Sequence, residues 1–175
     1  MRELTTRQVV DRLITELGRR TKDPTEVFLT GGVTAVLYGW RTSTVDVDLK
    51  VVPSSDEILR AIVHLKDALR VNIELAAPDE FIPELPGWRE RSVFVRTEGA
   101  VSFYHYDLYA QALAKIERGH TQDVIDVRHM LDDGLVDPQR LRGLFEDIEP
   151  QLYRFPAIDP PSFRRALEEA IATPG

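Results

Sequence analysis

The sequence predicts an α/β (α+β) fold in which a sheet domain is followed by a C-terminal helical region. Helical and strand patterns alternate in the first half of the chain, and only helical patterns follow residue 107. The composition agrees, because 175 residues with 43% hydrophobic and 29% charged side chains can bury a core and are not expected to be disordered. We therefore predict a sheet domain at 1–106 and a helical region at 107–175, packed on it as one compact unit.

The composition also excludes several classes of protein. The chain has no cysteine, which excludes disulfides, thiolate catalysis and cysteine-based zinc sites. Its net charge is −7, which argues against broad nonspecific DNA binding, since a positive surface supplies most of that affinity. No apolar run approaches the roughly 20 residues of a membrane span, and the N-terminus is too polar for a signal peptide. We expect a soluble cytoplasmic protein with no membrane partner.

Helices are predicted wherever apolar residues recur with a period of 3.6. The first is capped by Thr5 or Thr6, another has Ser54 and Glu57 spaced as a capping box, and Asp107 is placed to cap the first helix of the second half. The predicted helices are TTRQVVDRLITELGRR, GGVTAVLYG, SSDEILRAIVHLKDAL, LYAQALAKIERG, TQDVIDVRHMLDDG, PQRLRGLFEDI and PSFRRALEEAIA.

Strands are predicted at EVFLT, TVDVDLKVV and RVNIELA, and at two segments joined by Glu98-Gly99. The proline-rich segment Pro78 to Gly87 is expected to be irregular. In TVDVDLKVV, valine and leucine alternate with Asp46, Asp48 and Lys50, so the two aspartates project from the same face.

Two carboxylates side by side repel each other, and a bound cation would remove that cost. Carboxylates at this spacing suit Mg²⁺, which takes oxygen ligands and completes its shell with water and substrate phosphates. The alternative is that Asp46 and Asp48 are two solvated charges on a strand at the edge of the sheet.

Gly31 and Gly32 follow one strand and begin a helix, so their backbone can approach a phosphate closely. A Gly-Gly pair or a D-x-D pattern is weak on its own. The order strand, Gly-Gly, helix, short loop and D-x-D strand is more specific, and it predicts a phosphate-binding turn next to a metal site.

The segment GGVTAVLYGWRTSTVDVDL resembles the signature of the polymerase-β-like minimal nucleotidyltransferases, in which a GG or GS turn precedes a metal-binding D-x-D strand. The part YGWRTSTVDVDL is similar to the branch that includes AbiEii-type toxins. The resemblance implies a mixed nucleotidyltransferase-type sheet flanked by helices, and two Mg²⁺ ions, with Mn²⁺ as an alternative. It also implies transfer of a nucleoside monophosphate from an NTP with release of pyrophosphate.

Many members of that superfamily carry a third acid on the strand after the D-x-D helix. In this chain the strand is RVNIELA, and Glu74 is the acid that it contains. Glu74 is therefore our candidate for a metal ligand or base, and an ordinary outward-facing charge is the alternative. Asp107 competes for the same role.

The segment ALAKIERGHTQDVIDVRHML resembles the lysine and spaced-aspartate element of AbiEii-like proteins. The resemblance implies that Lys115 binds the triphosphate and that Asp123 helps to organise it or the acceptor. The alternative is an ion pair of Lys115 with Asp123 or Asp126 that joins two helices. Arg41 and Thr44, on the loop before the D-x-D strand, are further candidates for nucleotide binding, and a solvent-exposed position is the alternative for Arg41.

These features predict a Mg²⁺-dependent nucleotidyltransferase. By analogy with the AbiEii-like toxins, the 3′ end of tRNA is a candidate acceptor and a cognate antitoxin a candidate partner. The alternatives are a transferase acting on a protein or small-molecule hydroxyl, and a non-catalytic nucleotide- or partner-binding module with the same fold.

Overall fold

The structure is a computed structural model that describes residues 2–173. The chain divides into two compact units, one made of Met1–Ala77 and Ser92–Tyr106 and the other of Pro78–Arg91 and Asp107–Gly175. A boundary after residue 106 was also expected from the sequence. The segment Pro78–Arg91, placed by sequence in the sheet domain, belongs to the helical unit.

The first unit contains the sheet. Its elements are β1 (Thr5–Thr6), α1 (Arg7–Arg20), β2 (Thr25–Thr30), α2 (Gly32–Tyr38), β3 (Ser43–Thr44), β4 (Asp46–Val52), α3 (Asp56–Ala68), β5 (Asn72–Glu74), β6 (Val93–Glu98) and β7 (Val101–His105). Within residues 2–173, five strands form one sheet in the order β5-β4-β2-β7-β6, and β1 pairs separately with β3. The pairs β2–β4 and β6–β7 are antiparallel, whereas β2–β7 and β4–β5 are parallel. The mixed α/β fold predicted from the sequence is therefore confirmed.

The core of the first unit lies on one face of the sheet, against α1 and α3. Along β4, Val47, Leu49 and Val51 are buried on this face, and they alternate with half-buried polar residues that project from the other face. Burial of each such aliphatic side chain stabilises the fold by roughly 1.5–3 kcal/mol. Removal of this apolar surface from water is what sets the orientation of β4, and with it the direction in which its aspartates project.

Helix caps follow the sequence with one exception. Thr6 caps α1 as predicted, since its side chain accepts a hydrogen bond from the Val9 N–H. The capping box predicted at Ser54 and Glu57 is wrong, because Ser55 is the residue that caps α3.

Glu57 instead accepts hydrogen bonds from the backbone N–H groups of Lys22 and Asp23, at 2.9 and 3.2 Å. These bonds lower the pKa of the Glu57 carboxyl below its ordinary value. The Glu57 carboxylate thus binds backbone N–H groups of the turn after α1 and does not take part in a capping box at the start of α3.

The second unit is helical. Its elements are a 3₁₀ helix at Pro78–Glu80, α4 (Trp88–Arg91), α5 (Leu108–Arg118), α6 (Thr121–Asp132), α7 (Pro138–Ile148), a 3₁₀ helix at Glu149–Arg154 and α8 (Pro160–Ala172). Helix α5 contacts α6, α7 and α8, and the rings of Phe145 and Phe163 meet edge to face at 4.9 Å. Asp107 caps α5 as predicted, by accepting from the Tyr109 N–H. In residues 2–173, the helices are all too short or too polar to cross a membrane.

Candidate active site

The two aspartates of the D-x-D pattern project from one face of β4. Strand β4 lies between β2 and β5, so each aspartate has a neighbour across the strand. Asp48 is aligned with Thr30 on β2 and with Glu74 on β5, and Asp46 is aligned with Asn72. Aligned residues on paired strands share a face of the sheet. The three predicted acids of this unit therefore occupy one face, on two adjacent strands.

The Gly-Gly turn lies directly against one of these acids, Asp48. Gly31 has φ 69° and ψ −136°, a backbone conformation that residues other than glycine rarely adopt. A Cβ atom at Gly31 would lie 2.8 Å from Oδ2 of Asp48, closer than real Cβ contacts. The missing side chain therefore leaves room beside the Asp48 carboxylate.

Gly32 is also required to be small. A Cβ atom there would collide with the Thr44 hydroxyl and would lie 3.1 Å from Nη1 of Arg41. Thr44 is buried and Arg41 is half-buried. Both side chains thus lie against the Gly-Gly turn, which brings together the glycines and the loop residues that the sequence associated with nucleotide binding.

Asn72 occupies a position between two of the acids. Its side-chain Nδ2 donates to Oδ1 of Asp46 at 2.6 Å and to Oε1 of Glu74 at 2.8 Å. Glu74 is exposed, and Asn72 and Asp46 are half-buried. Asn72 lies two residues before Glu74 on β5, so the two side chains share a face, but nothing in the sequence assigned Asn72 a role. Its contact with Asp46 depends on the register between β4 and β5, which a single sequence does not show.

The acids do not by themselves form a three-ligand metal site. In the part of the chain that the structure describes, no group of three or more His, Cys, Asp or Glu side chains is arranged to hold one ion. On β4, the groups that could bind a cation are the carboxylates of Asp46 and Asp48. On β5, Oε1 of Glu74 accepts a hydrogen bond from Asn72.

His105 supports the helix that begins with the Gly-Gly turn. It is 6% exposed, its Nδ1 lies 3.0 Å from the Thr34 hydroxyl on α2, and its ring lies 4.7 Å from that of Tyr38. Burial lowers the pKa of His105 to about 4, so the imidazole is neutral at pH 7. Thr34 and Tyr38 both belong to α2, so His105 tethers this helix to the end of β7.

Lys115 and Asp123 lie in the helical unit, where they bind each other. Nζ of Lys115 is 2.8 Å from Oδ2 of Asp126 and 3.4 Å from Oδ1 of Asp123, and the three side chains are at most 6% exposed. Arg118 donates two further hydrogen bonds to Asp123, at 2.6 and 2.7 Å. The ion pair between α5 and α6, which the sequence left open as an alternative, is therefore present. Whether Lys115 also binds a triphosphate stays a prediction.

Burial raises the pKa of the Asp123 carboxyl, but the hydrogen bonds from Arg118 and the charge of Lys115 outweigh it and hold that pKa below its ordinary value. The cluster contains two cations and two carboxylates, so its formal charges cancel. Charge balance and hydrogen bonding offset the desolvation cost of burying these charges.

A mixed sheet with a Gly-Gly turn against a D-x-D strand is the arrangement expected for the nucleotidyltransferase class. Residues 8–158 match the model of the family described as nucleotidyltransferase of unknown function (DUF6036), and the chain belongs to that family. No match to the chain was found among the curated proteins or among the solved structures. The resemblance to nucleotidyltransferases is thus confirmed at the level of the superfamily, and the AbiEii-type branch stays a prediction.

Proposed function

We propose that the protein is a Mg²⁺-dependent nucleotidyltransferase that transfers a nucleoside monophosphate from an NTP to a hydroxyl group and releases pyrophosphate. The observation that carries this proposal is the contact between the Gly-Gly turn and the D-x-D strand. The backbone of Gly31 lies beside the carboxylate of Asp48. A phosphate bound over the turn would therefore lie next to a cation held on β4.

The donor set at β4 fits a hard cation. Asp46 and Asp48 offer carboxylate oxygens only, which suits Mg²⁺, with Mn²⁺ as a substitute. The remaining ligands of such an ion are usually water and substrate phosphates. When bound, the cation neutralises phosphate charge and polarises the attacking hydroxyl. Two ions are expected from the class, and Asp46 and Asp48 are the residues that would hold them.

The remaining candidate residues are assigned to substrate binding and proton transfer. We assign Gly31 to the seating of the triphosphate, and Arg41, whose Nη1 lies near Gly32, is our candidate to pair with a phosphate oxygen. The acceptor oxygen attacks the α-phosphorus in line while the bond to the pyrophosphate oxygen breaks, and pyrophosphate leaves with the electron pair. The hydroxyl proton passes to a carboxylate, for which Glu74 is our candidate.

Thr44 shapes the loop that leads into β4, because its hydroxyl donates to the backbone oxygen of Asp46 at 3.2 Å. For Lys115 and Asp123, roles in triphosphate binding rest on the resemblance alone. Binding of a phosphate by Lys115 would compete with its 2.8 Å contact to Asp126.

For the acceptor, we propose the 3′ end of tRNA, with the protein as the toxin of a toxin–antitoxin pair in the cytoplasm. This choice rests on the resemblance of YGWRTSTVDVDL to AbiEii-like toxins. A hydroxyl on a protein or a small molecule is the competing acceptor.

Transfer of label from each of the four α-³²P-labelled NTPs tests the reaction, with Mg²⁺ and total tRNA as acceptor. We expect labelled tRNA with the wild type, and no transfer with Asp46→Asn or Asp48→Asn, which remove the charges that hold the cation but keep the side-chain shapes. The matched control is Asp67→Asn, an exposed acid at the end of α3, which should transfer label as the wild type does.

The outcomes separate the candidates. Label on protein or on a small hydroxylated compound instead of tRNA would change the acceptor and keep the reaction. NTP binding without transfer to any acceptor would favour a non-catalytic module. The toxin role has its own test, since expression should arrest growth and Asp48→Asn should abolish the arrest. Harmless expression of the wild type would contradict that role.

A further inference from the structure

We propose that Asn72 is a positioning residue that orients the carboxylates of Asp46 and Glu74 at the candidate metal site. This inference rests on the proposed function, because it concerns the same face of the sheet. It assigns to a neutral side chain the task of holding one predicted metal ligand and the candidate base in a single arrangement.

The hydrogen bonds of Asn72 define which way its amide points. Carboxylates can only accept and guanidinium groups can only donate, so the amide nitrogen must face the acids and the amide oxygen must face a donor. Nδ2 contacts Asp46 at 2.6 Å and Glu74 at 2.8 Å, and Oδ1 accepts from Nη1 of Arg2. Each of the two amide hydrogens has a carboxylate to bind.

The surroundings of Arg2 connect this network to the N-terminal segment. Thr5 and Thr6 pair with Thr44 and Ser43, directly before β4 begins. The N–H of Glu3 donates to the backbone oxygen of Arg70 at 3.0 Å, directly before β5. The segment that carries Arg2 is therefore tied to the beginnings of both strands whose acids Asn72 contacts.

The physical effect of Asn72 is to offset repulsion between its two acids. Carboxylates on adjacent strands of one face repel each other, and an amide that donates to both lowers that repulsion. The hydrogen bond from Nδ2 of Asn72 to Oδ1 of Asp46 also restricts rotation of the Asp46 carboxylate. Hydrogen-bond partners of this kind orient metal ligands, and their loss typically weakens metal affinity roughly 10- to 100-fold.

Titration of the full chain with Mn²⁺, followed by the electron paramagnetic resonance signal of the free ion, tests the inference without any need for turnover. We expect Asn72→Ala to bind Mn²⁺ about 10- to 100-fold more weakly than the wild type. Asn72→Gln, which keeps the amide on a longer side chain, should recover part of the affinity. Asp46→Asn is the variant that removes a ligand, and Asp67→Asn is the control that should bind like the wild type.

Thermal unfolding of the metal-free variants separates positioning from support of the fold. If Asn72 only supported the fold, Asn72→Ala would have a lower Tm than the wild type, but the folded variant would bind Mn²⁺ with unchanged affinity. That result would overturn the inference. Equal Mn²⁺ affinity of Asn72→Ala and wild type, with loss of binding in Asp46→Asn, would overturn it while the proposed metal site stands. Absence of Asp46-dependent binding in the wild type would refute the proposed site and the inference together.

Discussion

Replacement of Gly31 by alanine adds a methyl group between the Gly-Gly turn and the D-x-D strand. Two separate costs follow from the structure. The backbone at Gly31 has φ 69° and ψ −136°, which an L side chain rarely adopts. The new Cβ would also lie 2.8 Å from Oδ2 of Asp48.

The backbone cost is of the order of 1–3 kcal/mol for a residue held in a sparsely populated conformation. For a protein of this size, that corresponds to a fall in Tm of roughly 2–12 °C. The steric cost is smaller in free energy, because the Asp48 carboxylate is the end of a side chain and can turn. To restore ordinary contact, its oxygen must move by about 0.6 Å. A displacement of this kind at a reacting centre costs up to about 100-fold in rate.

Gly39→Ala is the matched control. Gly39 ends the helix that Gly31 begins, and its φ of 97° is also unfavourable for alanine, but no atom lies within 4 Å of a Cβ placed there. Both variants should unfold at lower urea concentration than the wild type. Only Gly31→Ala should also lose Mn²⁺ affinity and label transfer by one to two orders of magnitude.

The comparison has a clear refuting result. If folded Gly31→Ala binds Mn²⁺ and transfers label as well as Gly39→Ala does, the contact between the turn and Asp48 has no functional importance. In that case the Gly-Gly turn would be a structural feature of the strand-to-helix connection, and the observation on which the proposed function rests would lose its force.

Two further predictions concern buried ionisable groups. Because the pKa of His105 in the folded protein, about 4, lies below its unfolded value of about 6.5, its contribution to stability is complete above pH 6.5 and is lost as the pH falls towards 4. The free energy of unfolding should therefore fall by about 3 kcal/mol over that range relative to His105→Gln. If the free energies of unfolding of the two proteins instead depend on pH in the same way, the imidazole is not buried as a neutral group. Lys115→Met leaves Asp126, which is fully buried, without its 2.8 Å cation and should lower the free energy of unfolding by about 3–5 kcal/mol in urea. A loss below about 1 kcal/mol would show that the ion pair contributes little and would strengthen the case for a role of Lys115 in phosphate binding.

The main elements of both units could be predicted from the sequence because each is marked by a local pattern. Apolar spacing indicated α1, α3 and β4, and the glycines at both ends indicated α2. Asp107 at the start of α5 acts as the cap that its position suggested. The error at Glu57 shows the limit of such patterns. Its spacing from Ser54 fits a capping box, but the backbone of the turn after α1, distant in sequence, takes the carboxylate instead.

In the candidate site too, local pattern predicts some features and the alignment of distant segments decides the others. Asp46 and Asp48 share a face because side chains alternate along a strand, and the period of two is visible in the sequence. The contact of Asp48 with Gly31 and of Asp46 with Asn72 depends on how separate segments are aligned. The apolar pattern of a strand indicates which face is buried but does not say which residue of the next strand lies opposite.

The sequence by itself determined the types of the principal elements, the common face of the two aspartates and the family to which the chain belongs. The tertiary structure decided the partners: Asn72 between Asp46 and Glu74, and Lys115 between Asp123 and Asp126. The physical reason is the range of the forces involved. Backbone geometry and hydrophobic periodicity act over a few residues, whereas a hydrogen bond or a buried ion pair requires two specific side chains to meet after the chain has folded.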